Sequence, residues 1–388
     1  MLLNDSDRKR SLMGVIAAMA VVNLVYGITY PLFALVLDSQ GASLTMIGLS
    51  TMVQSLAVVV LAPLAPRLME RYQPAKIMQI SVVVLAVLIV IAGMVPNIWI
   101  WFPLRFAIGA TTAMLWIASE SMINTLAQEN WRGRIIGIYS AVGSAGFAAA
   151  PLLLIATGTK GILPFVSTSA ITLLAAIPLF WSVRQIKAPE ASPSGRTGIG
   201  KILLLAPAIM LGNIAYASVI ESLSTFFPLY GQHLGLSSNM ALGMMTIVGI
   251  GGMVMILPLS WLADHINRWA MLVSCIALTM IGLLAMPHLI TIPVVSSIFV
   301  FVFGGISGMI YALCVVLIGE QFKGLMLATA TTAFTACWGA GSVIGPLIVG
   351  VGMDWFGVEH MALIIFVIFL PYLPFPVRAW LRSHKTGS

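Results

Sequence analysis

Two short stretches of this chain decide its fold, because they are near copies of one another. Residues 146–152 read Gly-Phe-Ala-Ala-Ala-Pro-Leu, and residues 341–347 read Gly-Ser-Val-Ile-Gly-Pro-Leu. Their prolines, Pro151 and Pro346, are separated by about half of the 388 residues. Other pairs keep a similar offset: Asn23 with Asn213, Tyr26 with Tyr216, Pro31 with Pro228, Gly41 with Gly235, and Leu68 with Leu262. The chain therefore consists of one structural unit that is repeated once.

The composition places this repeated unit in a membrane. Hydrophobic residues make up 60% of the chain and charged residues only 8%, against roughly 25% charged residues in soluble domains. A helix needs about 20 apolar residues to cross a bilayer. Twelve stretches of that kind are present, at 12–37, 45–66, 77–95, 98–126, 135–157, 163–182, 202–230, 239–262, 269–290, 292–318, 325–353 and 359–380. We predict an all-α polytopic membrane protein with 12 transmembrane helices in two pseudo-symmetric six-helix bundles.

The net charge of +7 indicates topology rather than a nucleic-acid partner. Seventeen of the 19 basic residues fall on one side of the predicted helices: Arg8, Lys9, Arg10, Arg67, Arg71, Lys76, Arg132, Arg134, Arg184, Lys187, Arg196, Lys201, Arg268, Lys323, Arg378, Arg382 and Lys385. Loops rich in Lys and Arg stay in the cytoplasm. We therefore expect both termini to be cytoplasmic, in a multi-pass protein of a bacterial-type inner membrane.

A polar linker separates the two halves. Residues 183–201 contain Pro, Ser and Gly, a composition typical of flexible connections. We predict an N-terminal bundle at 1–182 and a C-terminal bundle at 202–388. Residues 195–201 match the start of a phosphate-binding loop, but Ile202 replaces the Ser or Thr that would bind magnesium. The three cysteines are far apart and no histidine pair has the spacing of metal ligands. We expect no cofactor and no metal.

Several motifs resemble those of the major facilitator superfamily. After the second helix, Leu68, Glu70, Arg71 and Lys76 match a loop motif of the family, and Leu262, Asp264 and Arg268 match it in the second half. Arg105 and Gly109 match the fourth-helix motif, and Gly137, Gly146 and Pro151 half-match the fifth-helix motif of the antiporters. The segments 116–121, 221–223 and 228–230 are similar to the YcaD-like and drug-antiporter-like branches. The resemblance implies a secondary transporter that works by alternating access.

Two charged residues fall inside predicted membrane helices. Arg105 lies in the fourth helix and Glu221 in the seventh, and the resemblance implies that both helices line a central cavity. A charge facing lipid costs at least about 2.5–3.5 kcal/mol. We interpret Glu221 as a proton carrier or cation ligand, and Arg105 as its counter-charge or an anion ligand. A structural ion pair, or an Arg that reaches the membrane interface, is the alternative.

The remaining candidate residues form three groups. Polar and aromatic side chains that could contact a substrate are Asn23, Tyr26, Tyr30, Trp116, Asn213, Tyr216 and Tyr311, with Gln54 and Tyr139 as secondary candidates. Charges that could form a cytoplasmic gate are Glu70, Arg71, Glu120, Arg132, Arg134, Asp264, Arg268, Glu320 and Lys323. Residues that could bring helices close together are Gly137, Gly146, Pro151, Gly341, Gly345 and Pro346. Interhelical hydrogen bonding and solvated surface charge are the alternatives for the first two groups.

We expect a transporter, not an enzyme. Its predicted partners are a small organic or amphipathic solute, a coupling ion that is H⁺, and membrane lipid, and we expect it to act as a monomer. Glu221, as the titrating group, favours coupling to protons, and the half-matched antiporter motif favours export. An importer or facilitator of a small metabolite, a flippase and a membrane-embedded lipid enzyme remain alternatives, although the enzyme would need a nucleophile with a base or clustered metal ligands.

Overall fold

The computed structural model describes residues 5–127, 131–182 and 199–386, and these residues are almost entirely helical. In chain order the helices are α1 Asp5–Ser39, α2 Leu44–Leu61, α3 Ala65–Arg71, α4 Pro74–Met94, α5 Ile98–Leu126, α6 Arg132–Thr157, α7 Leu163–Ala175, α8 Ile177–Ser182, α9 Ile199–Leu205, α10 Pro207–His233, α11 Ser238–His265, α12 Arg268–Leu289, α13 Val295–Gln321, α14 Gly324–Phe356, α15 Met361–Phe369 and α16 Pro374–Thr386. A 3₁₀ turn, Val358–His360, precedes α15.

Most of these helices are long and apolar enough to cross a membrane. Eleven spans meet this condition among the described residues, and a pair of helices with a 42° bend between them, Val358–Phe369 and Pro374–Ser383, brings the number to twelve when it is counted as one span. Helices suit this setting because every backbone N–H and C=O inside hydrocarbon must find its partner within the segment. The prediction of an all-α, twelve-helix membrane fold is confirmed.

The sequence also explains where individual helices begin and turn. The Asn97 side chain accepts a hydrogen bond from Trp99 N at 2.9 Å at the start of α5, which satisfies a donor that has no partner inside the helix. Gly41 and Gly235, which are paired by the repeat, end α1 and α10 in equivalent turns with φ of +80° and +87°. Residues other than Gly avoid this left-handed conformation.

Several boundaries differ from the prediction. The predicted span 45–66 ends as α2 at Leu61, and a separate short helix follows. The span 202–230 instead starts as α10 at Pro207, because proline lacks the N–H needed to continue from α9. The span 163–182 is divided between α7 and α8. Most of the predicted linker, residues 183–198, lies outside the described residues.

The described chain forms two compact units. Unit 1 comprises residues within Met1–Ala42 and Val53–Ser192, and unit 2 comprises residues within Ser43–Met52 and Pro193–Ser388. Helix α2 is continuous from Leu44 to Leu61 but is shared: its first turns group with unit 2 and the rest with unit 1.

Within each unit, equivalent helices approach at equivalent glycines. In unit 1, a Cβ added to Gly146 on α6 would lie 2.9 Å from the Ala20 carbonyl oxygen on α1. In unit 2, a Cβ on Gly341 of α14 would lie 2.3 Å from the Ile214 carbonyl oxygen on α10. Such distances exclude any larger residue without a shift of the backbone. The repeat in the sequence is thus also a repeat of helix contacts.

A second pair of contacts follows the same rule. A Cβ on Gly109 of α5 would lie 2.1 Å from the Gln54 carbonyl oxygen on α2, and one on Gly304 of α13 would lie 2.1 Å from the Val248 carbonyl oxygen on α11. Gly345 likewise sits against α10, where its Cβ would lie 2.4 Å from Ser218 Cα. A Cβ at Gly137 would meet nothing within 4 Å, so Gly137 is not at a close helix contact.

Candidate functional site

Four aromatic side chains from three helices of unit 2 pack together. Tyr216 on α10 lies 6.0 Å from Tyr311 on α13 and 5.8 Å from Trp338 on α14, measured between ring centroids. Tyr311 meets Trp338 edge-on at 5.3 Å and Phe334 at 5.5 Å. We call Tyr216, Tyr311, Phe334 and Trp338 the aromatic cluster. Tyr216 and Tyr311 were predicted site residues, whereas Phe334 and Trp338 were not.

The acid that the sequence places inside the membrane lies on the same helix as Tyr216 of this cluster. Glu221 is five residues after Tyr216 on α10, and its carboxylate interacts electrostatically with the Tyr216 side chain. The Glu221 side chain is partly buried, and its Oε2 atom is shielded from solvent. The backbone carbonyl of Glu221 accepts a hydrogen bond from Thr225 Oγ1 at 2.9 Å. The same stretch of α10 therefore carries an ionisable group and one ring of the aromatic cluster.

The buried amide of α10 has a different setting. Asn213 is fully buried, and its Nδ2 donates to the Phe334 carbonyl oxygen of α14 at 2.6 Å. One turn further, Ser218 Oγ donates to the Gly341 carbonyl oxygen at 3.1 Å. These bonds tie α10 to α14 and so fix the helix that carries Glu221 and the helix that carries Trp338.

Unit 1 holds the second charge of the predicted site. Arg105 on α5 is 1% exposed, and its guanidinium carbon lies 4.8 Å from the centre of the Phe33 ring on α1. Its Nη1 lies 3.5 Å from the Thr29 carbonyl oxygen, and it interacts electrostatically with Tyr30. A ring face and a carbonyl dipole both favour a cation, so the Arg105 charge is stabilised by α1 from within unit 1.

The other predicted residues of unit 1 lie along α1 and α5. Tyr26 stacks on Tyr30 with ring centroids 5.4 Å apart. Asn23 Nδ2 donates to the Met19 carbonyl oxygen of its own helix at 3.1 Å. Trp116 is half-buried on α5. The Tyr139 hydroxyl is 2.8 Å from Ser119 Oγ, which joins α6 to α5.

One residue that the sequence analysis ranked low has an unusual environment. Gln54 on α2 is fully buried, and within the described structure neither Oε1 nor Nε2 has a hydrogen-bond partner. A buried amide without partners costs about 1–3 kcal/mol per lost group. A polar ligand is one way to satisfy it. In the sequence, Gln54 differs from the surrounding apolar residues only in its polarity, and nothing else there indicates this environment.

The predicted gate charges of unit 2 are brought together at one end of the helices. Arg268, at the start of α12, pairs with Asp264 of α11 at 2.9 Å and also with Glu320 of α13. Lys323 instead donates to the Gly319 carbonyl oxygen at 2.8 Å. The Asp264 and Glu320 side chains are about half exposed or more. We call Asp264, Arg268 and Glu320 the acid–arginine cluster.

The corresponding basic residues of unit 1 have other neighbours. The guanidinium of Arg71 lies 5.5 Å from the ring centre of Tyr72, and that of Arg134 lies 5.3 Å from the ring centre of Trp131. Glu70 and Glu120 are exposed. Among the side chains that the structure describes, these contacts differ from the acid–arginine pairing of unit 2; the Arg132 side chain lies outside the described part.

Two repeated bundles of apolar helices, with ionisable and aromatic residues inside the membrane spans, define a polytopic helical membrane protein of the transporter type. The family model of the Major Facilitator Superfamily matches residues 15–304 and 210–387. This chain belongs to the Major Facilitator Superfamily, and is a transporter rather than an enzyme.

Relatives agree with this assignment. The uncharacterized MFS-type transporter YfkF of Bacillus subtilis is 24% identical over 343 residues, which cover 85% of each chain. The uncharacterized MFS-type transporter YcaD of Escherichia coli (strain K12 / DH10B) is 25% identical over 286 residues, 72% of each chain. The predicted resemblance to the YcaD-like branch is confirmed.

Solved structures share the fold. A bacterial homologue of the human lysosomal transporter Spinster, in an inward-facing and occupied conformation, has a TM-score of 0.79 at 14% identity, and covers 97% of both chains. The nucleoside transporter NupG has a TM-score of 0.78 at 12% identity, with 97% of this chain and 99% of NupG covered. At these identities the likeness concerns the fold alone.

Proposed function

We propose that this secondary transporter is a proton-coupled exporter of small organic solutes, amphipathic or cationic, with Glu221 as the coupling residue. The observation that carries the proposal is the position of Glu221 within a membrane span, on the helix that carries Tyr216 and within electrostatic range of it. An ionisable residue inside a membrane is costly and is retained for function by default.

The chemistry of the cluster favours a cationic or amphipathic solute. The faces of Tyr and Trp rings attract cations and also bury apolar surface. Tyr216, Tyr311 and Trp338 supply three such rings from three helices. The Glu221 carboxylate adds a negative charge next to them. A solute with an apolar body and a positive group would satisfy both parts of the site.

Coupling follows from competition at one carboxyl group. When Glu221 binds a proton it becomes neutral and loses its attraction for a cation, and when the solute binds, the proton is released. A site that faces each side of the membrane in turn then exchanges one proton for one solute. Arg105 in this proposal is a fixed positive charge within unit 1, stabilised by the Phe33 ring and the Thr29 carbonyl oxygen.

The orientation of the chain and its division also belong to this proposal. Both termini would be cytoplasmic, the bundles would span 1–182 and 202–388, and the protein would act as a monomer. The orientation is supported by the distribution of Lys and Arg, and the division by the two compact units.

Flux in liposomes tests the proposal. Purified protein is reconstituted with an imposed pH gradient, and transport of ethidium and tetraphenylphosphonium is followed. We expect Glu221→Gln to abolish accumulation driven by the pH gradient, while exchange without a gradient continues in part, at a reduced rate because the attraction of the carboxylate for the cation is lost. Glu359→Gln is the matched control, because Glu359 is exposed in unit 2 beside His233, at 3.2 Å.

Two results would contradict the proposal. If Glu221→Gln still accumulates the probe in response to the pH gradient, Glu221 is not the coupling residue. If the wild-type protein moves a metabolite inward, or moves a lipid between leaflets, with no response to the cationic probes, the importer or flippase alternative replaces the exporter.

A further inference from the structure

A cavity of about 460 Å³ lies at one end of unit 2, away from the aromatic cluster. It is bordered by the start of α10, the start of α12, the end of α13 and one face of α16. Cavities of about 300–1,000 Å³ are typical of small-molecule sites. None of Tyr216, Tyr311, Trp338 or Glu221 lines it, so it is separate from the proposed transport site.

The lining of this cavity is basic on one side and apolar on the other. Arg378 and Arg382 are four residues apart on α16, and both line the cavity, which places them on the same helix face. Leu205, Phe375 and Trp269 line it as well. The described lining contains no acidic side chain.

The acids near the cavity are partly neutralised. The adjoining surface depression is lined by Asp264 and Glu320, and both are paired with Arg268. Arg268 balances one of these two negative charges, and neither acid lines the cavity itself. Two guanidinium groups next to an acid-free cavity favour an anion that offers several oxygens, since Arg binds phosphate by parallel hydrogen bonds.

We propose that this cavity binds the phosphate headgroup of an anionic phospholipid. The cavity lies where membrane-spanning helices end, which is the level of the headgroups, and Trp is enriched at that level. A soluble phosphate would use the two arginines but not the apolar wall, whereas the glycerol and acyl portion of a lipid would contact Leu205 and Phe375. Basic pockets between helices are a known way to recognise such lipids.

The experiment measures lipid binding by the full-length protein in detergent. Phosphatidylglycerol and cardiolipin are titrated, and bound lipid is followed by native mass spectrometry and by the melting temperature. We expect saturable binding of both lipids, and roughly 30-fold weaker binding in Arg378→Gln/Arg382→Gln, since each basic residue near an anionic surface contributes about a factor of five.

Two further variants isolate the cavity from general charge. Arg67→Gln/Lys76→Gln removes the same net charge from unit 1 and should bind lipid as the wild type does. Ala379→Phe fills the cavity without changing charge, and should weaken binding even if the double arginine variant folds poorly. Ala379 is on the cavity wall between the two arginines in sequence.

Three outcomes would overturn the proposal. Equal binding of zwitterionic phosphatidylcholine would show that the headgroup charge is not recognised. Full competition by millimolar inorganic phosphate or glycerol phosphate would assign the cavity to a soluble anion. An equal loss of binding in the unit 1 control would attribute the effect to overall charge.

Discussion

The Asp354 carboxylate at the end of α14 binds the beginning of α2, and its removal should loosen that helix measurably. Asp354 Oδ1 accepts from Leu44 N at 2.9 Å, and Oδ2 accepts from Thr45 N at 2.7 Å. Ser43 Oγ accepts from Met46 N at 3.2 Å. The first N–H groups of a helix have no partner inside it, so Asp354 completes a cap that Ser43 alone leaves incomplete.

The magnitude follows from what each substitution removes. Loss of an N-cap acceptor costs about 1 kcal/mol, and loss of a negative charge at a helix N-terminus costs about 0.3–1 kcal/mol. Asp354→Ala loses both, which is about 1.3–2 kcal/mol, or about 9- to 30-fold in the opening of the first turn. Asp354→Asn keeps one acceptor oxygen and should lose about 1 kcal/mol, or roughly fivefold.

Amide hydrogen exchange measures this directly. In nanodiscs, a peptide that covers residues 43–52 should exchange faster by these factors, with the Ala variant above the Asn variant. Glu359→Gln removes a nearby exposed carboxylate that pairs with His233 and should leave this peptide unchanged. Unaltered exchange in both Asp354 variants, or an equal change in the Glu359 variant, would refute the capping role.

Three other predictions concern topology, the acid–arginine cluster and helix packing. Single cysteines at Ser192 and Gln232 should be labelled from opposite faces of the membrane, and labelling of both from outside would contradict the predicted topology. Glu320→Gln should lower the melting temperature by no more than about 2 °C, because half-exposed ion pairs contribute only about 0–1 kcal/mol to stability. If the transport rate of this variant is also unchanged, Glu320 has no role in a gate. Gly109→Val should prevent folding or lower the melting temperature strongly, because the valine side chain would overlap the backbone of α2. Gly137→Val should be tolerated, because the space around Gly137 is open. Equal effects of the two substitutions would contradict the helix packing.

The sequence predicted the fold well because its signals are local or periodic. Apolar length identifies each span, and the offset between Pro151 and Pro346 identifies the repeat. The structure extends that offset to helix contacts, since Gly109 and Gly304 are also 195 residues apart and each meets a backbone carbonyl. The repeat helps to identify glycines at close helix contacts, because both copies then have a glycine at the same position.

The candidate site was predictable only in part, because contacts between residues far apart in the chain produce no local sequence pattern. Tyr216 and Tyr311 were identifiable as polar aromatics in apolar helices, but Trp338 joins them only through the packing of α14 on α10. The bond from Leu44 to Asp354 links residues 310 positions apart, and no periodicity in either helix indicates it. Arg105 was identifiable as a buried charge, yet its stacking on Phe33 depends on how α1 and α5 meet.

The repeat also predicts a symmetry that the structure does not keep. A Cβ on Gly48 of α2 would lie 2.3 Å from the Pro346 carbonyl oxygen of α14, whereas a Cβ on Gly243, at the equivalent place of α11, would meet nothing within 4 Å. Both copies of the repeat have glycine at this position, but only Gly48 makes a close helix contact in this structure. A transporter that alternates between two states needs contacts that form in one state and not in the other, because contacts made equally in both states could not favour either state. The shared first turns of α2, held by Asp354, are therefore where we expect the two states to differ most.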